Sequence, residues 1–155
     1  ASRGLGDVYK RQGPARVFAK VKEEQAEKVD ELYTAMGELI HAGGEGGKKG
    51  HGAYDEIIAK ALDAVGLPEH FAEVANTSDC DDLLRGFHAS AMDAVGDDVG
   101  TPVVALNGTA FFGPVITRVP EGEEAGKLFD HAVGLAEFPY FFELKRTRTE
   151  MPQVR

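Results

Sequence analysis

Gly100-Thr101-Pro102-Val103-Val104-Ala105-Leu106-Asn107-Gly108-Thr109-Ala110-Phe111-Phe112-Gly113-Pro114 is the stretch that decides the fold. Residues 102–106 form a short run with the composition of a β-strand. Asn107-Gly108 is the strongest two-residue hairpin signal, because a type I′ turn needs positive φ at both central positions. Thr109 to Phe112 then reads as the returning strand, and Gly113-Pro114 closes it. A hairpin alone is marginal in water and wants further strands. No other part of the chain reads as one.

Around the hairpin the pattern is helical. Val17, Val21, Val29, Leu32, Met36, Leu39 and Ile40 mostly keep three- or four-residue spacing, with Phe18 and Tyr33 widening the stripe. Residues 15–42 are therefore expected to form one long helix. Pro14 near its start costs little, and Gly43-Gly44 ends it. A second helix is expected over 53–65, carrying Tyr54, Ile57, Ile58, Ala61, Leu62 and Val65, with Gly66 as its cap. A short helix follows at 68–75. Ser78 or Asp79 is expected to cap a further helix running to about residue 95, with Leu83, Leu84, Phe87, Ala91 and Val95 on one face. The last helix, about 121–136, turns Ala125, Leu128, Phe129, Ala132, Val133 and Leu135 inward. Residues 43–52 are rich in glycine, but a phosphate loop needs Gly-x-x-x-x-Gly-Lys-Ser/Thr. Here Ala42 takes the place of the first glycine, Lys49 that of the hydroxyl, and no strand leads in. The segment reads as a linker.

Composition narrows the function. The 155 residues carry 17 basic and 26 acidic side chains, a net charge of −9. That argues against a nucleic-acid binder, which needs a basic face. With 43% apolar and 28% charged residues, the chain has the balance of a globular domain. One cysteine, Cys80, excludes an internal disulfide and a Cys-x-x-Cys centre. No apolar run approaches the length of a membrane span. The start has no apolar stretch of a signal peptide, so the cytoplasm is the expected compartment. Residues 1–12 show neither period. Asp7-Val8-Tyr9-Lys10-Arg11-Gln12 resembles the translation of a transposon-end sequencing adapter. These twelve residues are set aside as a non-native leader, and the natural N-terminus is expected upstream.

The Gly-Thr-Pro step, a hairpin of this length and a following helix together resemble the second half of a thioredoxin fold of the DsbA type. Four further segments sharpen the resemblance: Leu32-Tyr33-Thr34-Ala35-Met36-Gly37, Met92-Asp93-Ala94-Val95-Gly96, Gly122-Glu123-Glu124-Ala125-Gly126-Lys127-Leu128, and Phe141 through Glu150. They are similar to the mycothiol-dependent nitroreductase group of DsbA-like proteins. The resemblance implies an α/β, thioredoxin-like chain over 13–155. In it, 15–96 is a helical insertion, 97–137 the C-terminal thioredoxin half and 138–155 a tail, with the first strands and the Cys-Pro-x-Cys helix missing. It also implies a cis peptide before Pro102, a thiol- and substrate-binding platform at Thr101 and Pro102, and His41 lining the cleft. Mycothiol or a similar low-molecular-weight thiol becomes the co-substrate, with no metal, no nucleic acid and no membrane among the partners. The intact parent is then an oxidoreductase acting on disulfides or nitro compounds, and this chain, without its cysteines, is expected to be inactive. Two alternatives stand beside it. One is a kappa-type glutathione transferase or 2-hydroxychromene-2-carboxylate isomerase, which uses serine as nucleophile. The other is a non-catalytic binding module.

The remaining candidates have plainer readings. Cys80 sits among Asp79, Asp81 and Asp82, which favour the neutral thiol, and it reads as a surface cysteine without a role. His41 ends a helix, where its protonated form suits the dipole. His51, His70, His88 and His131 lack metal-ligand spacing. Glu123 and Glu124 suit a helix N-terminus. The aromatic residues at 138–142 are expected to dock the tail on the core, and Lys145, Arg146 and Arg148 to be solvated. Open strand edges and uncovered helix faces invite association. Residues 13–155 alone are therefore expected to be molten, aggregated or a homodimer.

Overall fold

The computed structural model describes residues 12–48, 50–96 and 100–153. The leader up to residue 11, Lys49 of the linker and the Asp98-Val99 step before the hairpin lie outside the described residues. The chain forms two compact units, Ala1–Phe87 and His88–Arg155.

The first unit is helical. Helix α1 spans Gly13–Glu24 with Pro14 in its first turn. A 3-10 turn, Ala26–Lys28, leads into α2, Val29–Gly37, which runs on into a π-helical turn, Glu38–Ala42. The expected single helix over 15–42 is thus broken at Gln25, whose φ and ψ are −145° and 62°. The cause is a lapse in the apolar stripe. After Val17 and Val21 the next helical positions hold Glu24 and Gln25, and apart from the small Ala26 apolar residues resume only at Val29. An unbroken helix would carry those polar groups into the core; the break lets α1 and α2 each turn an apolar face to it.

Helix α3, Asp55–Ala64, follows the glycine-rich linker and ends where Gly66 takes φ +70°. The short helix expected next is a 3-10 segment, Glu69–Asn76. Val17, Val21, Leu32, Met36, Ile57, Ile58, Leu62 and Phe71 are almost fully shielded from solvent and form one cluster. Each such side chain stabilises by about 1.5–3 kcal/mol on burial. Helix α4, Asp81–Val95, starts in this unit and crosses the boundary at Phe87. None of Leu83, Leu84, Phe87, Ala91 and Val95 is fully buried.

The second unit holds the hairpin. Strands β1, Val103–Leu106, and β2, Thr109–Phe112, pair antiparallel, with Val103 opposite Phe112 and Leu106 opposite Thr109. Asn107 and Gly108 take φ of 49° and 86°, the positive values that Asn-Gly tolerates in a type I′ turn. Helix α5, Gly122–Ala136, packs on β2. Leu128, Phe129 and Leu135 were expected to face inward but are 38%, 58% and 42% exposed. Length explains it. A helix of 15 residues is about 22 Å long, whereas a four-residue strand reaches about 13 Å. The hairpin cannot cover the helix. The aromatic tail docks only in part: Phe141 lies on Phe111 with ring centroids 5.7 Å apart, while Phe138, Tyr140 and Phe142 are exposed. Lys145, Arg146 and Arg148 are exposed, as their reading as a solvated face requires. This mixed α/β arrangement, mostly helical with a small two-stranded sheet, is compatible with a thioredoxin-like fold.

Candidate functional site

The hairpin turn sets the geometry of the site. Leu106 and Thr109 flank a two-residue loop and are therefore a hydrogen-bonded pair. Two residues further out Val104 faces Phe111, and beyond them Gly113 N–H donates to Pro102 O at 2.9 Å. The alternation leaves Val103 and Ala105 with their N–H and C=O turned away from β2. The sheet has two strands among the described residues, so this outer edge of β1 pairs with no described strand. Thr101 and Pro102 are exposed at its mouth. The Thr101–Pro102 and Gly113–Pro114 bonds are both cis. Such an edge is suited to hold an extended, amide-bearing ligand by main-chain hydrogen bonds.

His41 lies in the other unit, exposed within the π-helical turn Glu38–Ala42. Thr101 and Pro102 thus stand at one strand end of the second unit, and His41 belongs to the first. π-helical turns are uncommon and often mark functional positions, a signal independent of His41 itself.

Cys80 corrects its reading as a surface residue: it is only 4% exposed. Burial pushes its thiol pKa up, and the charges of Glu23, Asp79 and Asp81 add to that while Lys20 opposes it. A buried neutral thiol is a poor nucleophile. Among the described residues no three metal-ligating side chains converge, and no helix is long and apolar enough to cross a membrane. A notch lined by Arg16, His51, Asp55 and Asn76 has a volume of about 20 Å³, which suits one water rather than a substrate.

Two polar constellations escaped the sequence reading. Arg16 and Asp81 are a buried ion pair: Nε to Oδ1 is 2.7 Å and Nη2 to Oδ2 is 3.3 Å, while Nη1 donates to Ala75 O at 3.2 Å. The hydrogen bond from Arg16 holds the Asp81 carboxyl below its ordinary pKa, against the desolvation that would raise it. In the second unit Glu150 accepts from Thr117 Oγ1 and from the Arg118 fork. Partners so far apart in sequence leave no local pattern to find.

A helical unit followed by a β-hairpin and helix, with Thr-Pro at the mouth of an open strand edge, defines a small, mostly helical α/β protein. The mycothiol-dependent nitroreductase Rv2466c family matches residues 3–146, and the chain belongs to that family. The match begins inside the segment that the adapter reading sets aside. An uncharacterized protein of Mycobacterium tuberculosis, Rv2286c, is 29% identical over 136 residues, covering 86% of this chain and 56% of that protein. The chain thus spans little more than half the length of this relative.

Proposed function

We propose that the chain is the thiol-binding part of a DsbA-type, thioredoxin-like oxidoreductase that uses a low-molecular-weight thiol, mycothiol or a close analogue, to reduce disulfides or nitro compounds in the cytoplasm. In this reading residues 15–96 are the helical insertion and 97–137 the C-terminal thioredoxin half. Thr101 and Pro102 form the platform, the outward N–H and C=O groups of Val103 and Ala105 pair with the amides of the thiol, and His41 lines the cleft. The observation that carries the reading is the open β1 edge with Thr101-Pro102 exposed at its mouth, in a chain of this family. The residues fit such a ligand because an amide-bearing thiol can both accept from and donate to an unpaired strand. Chemistry is a separate matter. Attack on a disulfide needs a thiolate, and the single cysteine here is buried with a raised pKa. These 155 residues are proposed to bind the thiol without turning it over.

The test is a titration of the ¹⁵N-labelled chain with mycothiol and with its disulfide, followed by amide shifts. Saturable shifts at Thr101, Val103 and Ala105, with no nitro reduction under steady-state conditions, are the expected result. Shifts confined to other residues, or turnover by the chain alone, would overturn the reading.

A further inference from the structure

Beyond Glu137, whose Oε1 accepts from Asn107 Nδ2 at 3.4 Å, the tail after α5 is held to the rest of its unit at two further places among the described residues. Phe141 rests on Phe111 of β2. Further on, Glu150 closes on the segment that leaves β2. Thr117 Oγ1 donates to Glu150 Oε1 at 2.5 Å, Arg118 Nε to the same oxygen at 3.0 Å, and Arg118 Nη2 to Oε2 at 2.6 Å. Gln153 N–H adds a main-chain bond to Thr117 O at 2.8 Å. The arginine contact is the two-pronged guanidinium–carboxylate geometry, which fixes orientation as well as distance. Between the two anchors, residues 142–149 are exposed.

The clasped segment begins at Gly113, and Gly113 is where the platform is held. Its N–H donates to Pro102 O at 2.9 Å, and Gly113 is buried. Its φ is +103°, and a Cβ there would meet Val115 N at 3.2 Å, so glycine is the residue that takes this backbone without strain. Only Pro114, Val115 and Ile116 separate Gly113 from Thr117. A displacement at the clasp therefore starts only four residues from that hydrogen bond.

We infer that Glu150 is a positioning residue for the platform: by clasping Thr117 and Arg118 it holds the Gly113 N–H on Pro102 O and so sets the mouth of β1. What is positioned rests on reading Thr101-Pro102 as the thiol platform; the mechanical link from Glu150 to Gly113 does not. An exposed ion pair adds little to global stability, so the effect is local.

Hydrogen exchange of the full chain, resolved by NMR, tests the link. In Glu150→Gln the Gly113 amide is expected to exchange at least tenfold faster, while Ile58 and Leu62 in the first unit and Ala132 and Val133 of α5 in the second keep their rates and report that both units stay folded. Thr117→Val, a milder change, should give a few-fold increase. The charge-swapped pair Arg118→Glu with Glu150→Arg should return the rate to within about threefold of the parent. Mycothiol affinity, read at Thr101 and Val103, should fall about tenfold in Glu150→Gln. An unchanged Gly113 rate in Glu150→Gln and Thr117→Val overturns the inference, as does a loosened Gly113 with unchanged thiol affinity. If the parent chain binds no thiol while Gly113 still loosens, the platform reading fails and the hold of Glu150 on Gly113 stands.

Discussion

The two units are built from similar amphipathic helices, yet they end differently. In the first, α1, α2, α3 and the 3-10 segment close on one core whose largest side chains are all but inaccessible. In the second, Ala136 is the one apolar side chain fully buried among the described residues, while Val119, Phe129, Phe138, Tyr140, Phe142 and Leu144 are more than half exposed. Helical periodicity specifies an apolar face. It does not specify a neighbour large enough to cover it. Four helical segments can cover one another; two strands of four residues cannot cover a helix of 15.

The sharpest way to break this contrast is a pair of truncations. Phe71→Ala should cost about 4 kcal/mol in urea denaturation, since it empties a sealed site. Phe129→Ala, at 58% exposure, should stay within about 0.5 kcal/mol of the parent. Equal losses would erase the distinction between the units.

Next in size is the ion pair of the first unit. Arg16→Met should cost about 3 kcal/mol because it strands a buried carboxylate. The double change Arg16→Met with Asp81→Leu should recover most of it. The pH dependence has a definite sign. Asp81 has a folded pKa below its ordinary value of 3.8, so its contribution is present above about pH 4 and is lost as pH falls through the folded value. A parent chain whose first unit loses no stability in that acid range would contradict the pairing.

In the second unit effects should be smaller. Asn107→Val puts a β-branched residue at φ 49° and should weaken the hairpin by about 1–2 kcal/mol, seen as faster exchange of the Val104 and Phe111 amides. Glu150 should titrate at about 2 rather than at its ordinary 4.5, because the hydrogen bonds from Arg118 and then Thr117 favour the carboxylate. The tail contact is therefore complete above about pH 4.5 and released only as pH drops through about 2; a side-chain titration near 4.5 would mean the clasp is not formed. Smallest of all, Phe142→Ser, at a position 82% exposed, should leave the melting temperature unchanged. In sedimentation velocity it should lower any concentration-dependent association.

Much of this was legible in the sequence. Asn107-Gly108 announced the hairpin and its register, because one turn type fits that pair. The helices over α3 and α5 followed from spacing. The break at Gln25 left a trace that is easy to pass over: no glycine or proline marks it, only the missing large apolar residues between Val21 and Val29. What could not be read were properties of distant partners. Arg16 looks like any helix arginine until Asp81 arrives 65 residues later. Glu150 looks like tail charge until Thr117 and Arg118 meet it. Cys80 was judged by its charged sequence neighbours, whereas its burial is decided by the packing around it. The proposed platform, Thr101 and Pro102, rests on family resemblance; nothing in their spacing alone singles them out.

The alternation of hydrogen bonds along β1 has a consequence for how such a surface can change over time. The groups offered by Val103 and Ala105 belong to the main chain, and every amino acid except proline carries the same pair. Recognition stored there is indifferent to most substitutions at those positions, provided the strand keeps its register. In the proposed thiol-binding role, side chains on this strand are thus free to drift while the main-chain grip persists.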